Sequence, residues 1–128
     1  MDVIGVASQH RRQLVDVTSF IQEAVSASSV DEGLCHVFVP HTTAAVMLNE
    51  NADPSVGQDL QAAYETLVPA ISFKHTEGNS DAHFLSSVIG VSLIVPISGH
   101  ELQLGRWQAV YFVELDGPRH RELWVTCV

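Results

Sequence analysis

The chain alternates short apolar runs with compact polar breaks, and the period of each run separates strands from helices. Val3–Ala7 and Gln13–Val17 read as two strands joined by the polar turn Ser8-Gln9-His10-Arg11-Arg12. Ser19 with Gln22 fits a capping box, and Phe20, Ile21, Ala24 and Val25 then give a helical stripe. Cys35–Val39 is a buried strand broken by Pro40, and Thr43–Leu48 resumes a strand-like run. Asp53-Pro54 opens the clearest helix: aspartate suits the cap and proline the first turn. Val56, Leu60, Ala63, Tyr64, Leu67 and Val68 share one of its faces, and Pro69 closes it. Asn79 or Ser80 caps a shorter helix, with Asp81 in its first turn and Gly90 just past its end. Val91–Ile97, Leu102–Leu104, Gln108–Leu115 and Glu122–Val128 are strands, the last two predicted as an antiparallel hairpin around Asp116-Gly117-Pro118-Arg119. Strands at both ends, helices in the middle and short connections predict a single α+β domain over residues 1–128, mostly antiparallel.

Composition narrows the function classes. Hydrophobic residues make up 46% of the 128 and charged residues only 16%, which points to apolar surface covered by a subunit partner. Six Lys plus Arg face fifteen Asp plus Glu, a net charge of −9, so nucleic acid and anionic membranes are excluded as partners. Scarce bases set among polar motifs suit a small anion instead. Cys35 and Cys127 each lie in an apolar run, which favours core packing in a reduced, cytosolic chain over a disulfide. The start lacks a basic leader region, and no apolar run approaches the roughly 20 residues that span a bilayer.

Four segments carry candidate chemistry. The first, His75-Thr76-Glu77-Gly78-Asn79-Ser80-Asp81-Ala82-His83, packs imidazoles, carboxylates, a carboxamide and hydroxyls together. Imidazole nitrogen and carboxylate oxygen suit first-row divalent ions, and a loop entering a helix offers N–H groups to an anion. A solvated loop with helix caps accounts for the same residues. The second, His41-Thr42-Thr43, places a histidine and two hydroxyls at a strand break, as a further ligand or as an ordinary loop histidine. Glu50 at a strand end is an acid–base candidate or a turn residue. The third and fourth, Gly105-Arg106-Trp107-Gln108 and Glu114 to Arg121, offer guanidinium forks beside glycine turns, or else salt bridges bracing a hairpin. No P-loop, dinucleotide fingerprint, paired-cysteine zinc motif or nucleophile elbow is present.

Taken in order, Phe38-Val39-Pro40-His41-Thr42-Thr43-Ala44-Ala45, Asn49-Glu50-Asn51-Ala52-Asp53-Pro54, His75 to His83, Leu104-Gly105, Trp107-Gln108 and Asp116-Gly117-Pro118-Arg119 resemble the secondary thiamine-phosphate synthase (YjbQ) family. The resemblance runs from about Val3 to Val128. It implies a two-sheet β-sandwich with flanking helices, assembled as a homotrimer. It also implies a weak activity that joins hydroxymethylpyrimidine pyrophosphate to thiazole phosphate with release of pyrophosphate. By position, His41, His75 and His83 match the metal-binding residues, with zinc the ion that imidazoles favour and magnesium the alternative. Glu50, Glu77 and Asp81 match acid–base or supporting positions, and Thr42, Asn79, Ser80, Trp107 and Arg119 substrate contacts. Phe73 stands where the family often has tyrosine, and Arg106 where a small residue or threonine is more usual. Two other classes fit the residues: a metal-dependent hydrolase of a small phosphorylated metabolite, and a non-catalytic module binding metal or ligand.

Overall fold

In the computed structural model, which describes residues 1–128, eleven elements follow in the order β1 (Asp2–Ala7), β2 (Gln13–Asp16), α1 (Thr18–Ala27), β3 (Glu32–Phe38), β4 (Ala44–Glu50), α2 (Pro54–Leu67), α3 (Ser80–Ile89), β5 (Ser92–Ser98), β6 (Glu101–Leu102), β7 (Gln108–Glu114) and β8 (His120–Cys127). They form a five-stranded sheet, β1-β8-β3-β5-β6, and a three-stranded sheet, β2-β7-β4. Every pairing is antiparallel. The fold is α+β, as its element pattern predicts. No helix is long and apolar enough to cross a membrane.

The two sheets bury different patterns, and the sequence shows why. Strand β8 alternates outward and inward residues, with Arg121, Leu123 and Val125 buried, because only one of its faces meets the core. Strand β7 is nearly continuously buried from Ala109 to Glu114, because both of its faces are covered. One face meets the main core, where Val110 and Phe112 pack with Val37, Leu123 and Val125 of the larger sheet and Ile21 and Val25 of α1. The other face meets α3, where Val113 and Leu115 pack with Ala45, Ala82 and Leu85.

This layering corrects one expectation. Strands β7 and β8 do not form a hairpin: β7 pairs with β2 and β4, and β8 with β1 and β3. The intervening turn carries the chain from one sheet to the other. Gly117 is obligatory there, since a Cβ would collide with the His10 carbonyl oxygen and Ser8 Oγ. Strands β1 and β2, also consecutive, likewise lie in different sheets. Proximity in sequence suggested a hairpin for β7 and β8, but burial on one face or two decides the layer.

Two helix starts also differ from the sequence reading. Ser19 and Gln22 form no capping box. Asp16 instead accepts from Thr18 N–H (3.0 Å) and Thr18 Oγ1 (2.7 Å), while Gln22 binds the Leu102 N–H (2.9 Å) and the His100 carbonyl (3.0 Å). Asn79 occupies the cap position of α3 without a side-chain capping bond. Helix α2 starts as expected, with Asp53 accepting from Ser55 N–H at 2.9 Å and Pro54 in the first turn. Its apolar stripe, however, buries no residue fully.

One buried ion pair ties the two sheets together. Glu114, the last residue of β7, is fully buried, and Arg121, the second of β8, is nearly so. Arg121 Nη2 lies 2.6 Å from Glu114 Oε2, and its Nε donates to both carboxylate oxygens at 3.0 and 3.2 Å. Ser8 Oγ (2.6 Å) and the Leu115 and Asp116 N–H groups (3.1 and 3.2 Å) donate to the same carboxylate. Arg121 Nη2 also reaches the Thr43 carbonyl (3.1 Å) and Oγ1 (2.9 Å), ahead of β4. Burial alone would raise the Glu114 pKa, but the bonds from Arg121, Ser8 and Asp116 hold it below the usual value.

Breaking one partner leaves an uncompensated buried charge, so Arg121→Ala is expected to cost about 3–5 kcal/mol in chemical denaturation. The paired change Glu114→Leu with Arg121→Met should cost markedly less, because no charge is then left in the core.

Candidate functional site

Helix α3 and the strand break after β3 bring three sequence-predicted histidines towards one end of the molecule. His83, in the first turn of α3, lines a surface cleft with His41, Thr42, Ser86 and Gly90. The His75 and His83 rings meet edge to face with centroids 5.3 Å apart. Phe38, Val39, Pro40 and Arg121 extend the floor beside His41.

Each histidine has a defined partner. His41 Nε2 accepts from the Glu122 N–H at 2.9 Å, so its proton resides on Nδ1. Partial burial, and then the charge of Arg121, lower its pKa and keep the ring neutral at neutral pH, although the nearby Glu122 and Glu114 carboxylates oppose them. His75 Nδ1 lies 2.9 Å from Ser80 Oγ, and its Nε2 lies 3.7 Å from Glu77 Oε2. Ser80 thus sets the His75 ring from the helix start, while Glu77 is solvent-facing.

The donors do not fit a three-histidine metal centre within one chain. No three His, Cys, Asp or Glu side chains converge in a geometry that would hold an ion. The lone pair of His41 Nε2 is engaged by the backbone, and the remaining nitrogen carries the proton. Two imidazoles meet, and the third faces them across the cleft.

Beside the histidines lies a network of ion pairs. Asp81, in the first turn of α3, accepts from Arg11 Nη2 (3.0 Å) and Arg12 Nη2 (2.6 Å). Arg12 also binds Glu65 of α2 at 2.6 Å and the Leu115 carbonyl. Arg119 turns back on its own loop, with Nε donating to the Asp116 carbonyl (2.8 Å) and Nη2 to Asp116 Oδ2 (3.1 Å). Asn79 Nδ2 donates to the same Asp116 oxygen (2.9 Å), and its Oδ1 is buried without a partner. For both Asp81 and Asp116, burial would raise the pKa. Hydrogen bonds from Arg12 to Asp81, and from Asn79 and Arg119 to Asp116, outweigh it and hold both carboxyls low.

Glu50 and Trp107 stand elsewhere. Strand β4 runs from Ala44, opposite Glu114, to Glu50, opposite Gln108, so both residues lie at the far end of the smaller sheet from His41. Trp107 is 54% exposed, and the Arg106 guanidinium lies 4.8 Å from its ring centroid, so it does not fill the core. Sequence reasoning missed Arg121 as a buried anchor, the Glu122 amide as the partner of His41, and Arg11 and Arg12 as clamps on α3. A signal existed for the first: Glu114 ends an apolar run that is too buried to hold an unpaired carboxylate.

This arrangement defines a class: an antiparallel two-sheet α+β protein with a histidine-lined cleft between a strand break and a helix start. The family model described as "UPF0047 protein YjbQ-like" matches residues 2–128. A UPF0047 protein of Methanocaldococcus jannaschii is 44% identical over 124 residues, covering 96% of this chain and 90% of that one. The UPF0047 protein YugU of Bacillus subtilis is 33% identical over 127 residues, covering 98% and 96%. The crystal structure of an uncharacterized conserved protein of the same family from Clostridium acetobutylicum matches with a TM-score of 0.96 at 39% identity, over 100% of both chains. The chain therefore belongs to the YjbQ-like UPF0047 family.

The clamp on α3 has a testable pH dependence. The folded Asp81 pKa lies below its ordinary 3.8, so its contribution is fully present above that value and is lost as pH falls through the folded one. Asp81→Asn should cost about 1 kcal/mol at neutral pH, since the pairs are partly solvated. The cost should shrink as pH falls below 3.8 and the native carboxyl protonates. Urea denaturation of both proteins across that range checks it.

Proposed function

We propose that this chain is a secondary thiamine-phosphate synthase-like enzyme that binds a small phosphorylated metabolite in the cleft between His41 and His83. One observation carries the reading: His83 shares a cleft with His41 and a ring contact with His75, at the start of a helix. In the proposed reaction, the thiazole nitrogen attacks the methylene carbon of hydroxymethylpyrimidine pyrophosphate, and the carbon–oxygen bond to pyrophosphate breaks. The departing oxygen needs a proton or a positive partner. His75 and His83 offer N–H donors for it, and Thr42 and the start of α3 offer further donors to phosphate oxygens. Neutral His41 bounds the opposite wall. Asn79 and Ser80 set the loop that carries His75, and in this reading Arg119, pre-held by Asp116, meets a phosphate of the substrate.

A cytoplasmic setting goes with this reading, since both cysteines are free thiols. A homotrimer goes with it too. The stripe on α2 is not fully buried, and Leu67, Ile71, Phe73 and Val88 are exposed apolar residues on or near the helices. Light scattering should then report about three times the 14.0 kDa chain mass.

The deciding assay incubates purified protein with the two phosphorylated precursors and follows thiamine phosphate and pyrophosphate together. The expected result is both products in equal amounts, with His83→Ala lowering kcat by about 10²-fold or more. Absence of thiamine phosphate from the folded wild-type protein, with or without added divalent metal, overturns the assignment. Release of inorganic phosphate from one precursor alone marks the hydrolase alternative.

A further inference from the structure

The two cysteines, far apart in sequence, are direct neighbours in the larger sheet. Cys35 of β3 faces Cys127 of β8 across the antiparallel ladder. The adjacent residues Leu34 and Val128 exchange both backbone hydrogen bonds, at 2.8 and 2.9 Å. Bonded and non-bonded pairs alternate along such a ladder, so Cys35 and Cys127 form a non-hydrogen-bonded pair. That type brings Cα atoms to about 4.5 Å and side chains closest together. Disulfides bridge Cα atoms about 4.4–6.8 Å apart, so this register lies within reach of the bond.

Both side chains leave the sheet on its inner face. Cys35 is fully buried in the main core, and Cys127, only half-buried, packs against that core beside the exposed terminal Val128. Gly33 lets the strands close up at this end, because a Cβ there would collide with the Val128 carbonyl oxygen. Burial, reinforced by the neighbouring Cys127, pushes the Cys35 thiol up to about 12.

We propose that Cys35 and Cys127 are a redox-sensitive dithiol site that closes to an intrachain, cross-strand disulfide by exchange with a low-molecular-weight disulfide. The less buried thiol reacts first. The Cys127 thiolate attacks one sulfur of RSSR, forms a mixed disulfide and expels RS⁻, which takes up the proton Cys127 lost. Cys35 then attacks the Cys127 sulfur, gives up its proton and expels the second thiolate, which leaves as RSH. Two S–H bonds and one S–S bond become one S–S bond and two RSH, and two electrons pass from the cysteines to the small disulfide. Cys35 does not start the exchange, because burial keeps it protonated and out of reach. The bond fastens the terminal end of β8, whose other end carries Arg121 and the Glu122 amide. This inference is independent of the proposed activity.

The test incubates the reduced full-length chain with oxidised glutathione and then reads free thiols under denaturing conditions, intact mass and the peptide map. Loss of both thiols, a mass lower by two hydrogens, no disulfide-linked oligomer and a Cys35–Cys127 cross-link reversed by dithiothreitol are expected. The oxidised form should also show a higher melting temperature. The Cys127→Ser protein should retain its Cys35 thiol under the same treatment. A stable glutathione adduct on Cys127 with Cys35 still free, disulfide-linked dimers, or two thiols persisting in excess oxidant would each overturn the proposal. A mapped cross-link in the wild type decides the matter even if the variant does not fold.

Discussion

A fully desolvated carboxylate at the end of a buried strand constrains the rest of this structure. Glu114 has no water to stabilise it, and a buried charge is tolerated only when paired and hydrogen-bonded on all sides. Arg121 supplies the fork, Ser8 and two backbone amides fill the remaining positions, and Arg121 in turn needs Thr43. Those partners come from β7, β8, the turn after β1 and the segment before β4. Satisfying one carboxylate therefore fixes where both sheets and the strand break around His41 meet. The next residue along β8, Glu122, turns its amide to His41, so the anchor of the fold is also a support of the cleft.

The charge distribution follows the same logic. Arg11 and Arg12 are held by Asp81, Arg119 by Asp116, and Arg121 by Glu114. Four of the six bases are thus engaged with carboxylates near the cleft rather than standing free. An anion entering a chain of net charge −9 therefore meets imidazoles and N–H donors before it meets an unpaired arginine. Arg11 and Arg119, each about half exposed, are better placed to exchange a partner for a ligand than Arg121, which is buried.

Much of the fold was legible in the sequence because it is written in local periodicity. Asp53-Pro54 marked α2 to the residue, Gly90 marked the end of α3, and every strand was found within a few positions. The layer to which each strand belongs was less legible. The continuous run from Ala109 to Val113 and the alternation from Arg121 to Val125 did encode it, but adjacency suggested a hairpin in its place. The segments His41-Thr42 and His75 to His83 were singled out as polar breaks, and the fold brings them to one end. Their partners were not, since the Glu122 amide carries no side-chain signature and a tautomer depends on tertiary contact. Glu50 and Trp107 show the converse: order along the chain linked them to the histidines, while the register of β4 on β7 holds them apart.

Whether the inter-sheet ion pair seats His41 as a neutral acceptor at the cleft is read most directly by nitrogen-15 NMR of the imidazole. The expected result is the Nδ1–H tautomer at neutral pH, with Nε2 unprotonated, coupled through a hydrogen bond to the Glu122 amide and titrating below 6.5. A proton on Nε2 at neutral pH, or a Glu122 amide indifferent to His41 protonation, would contradict it.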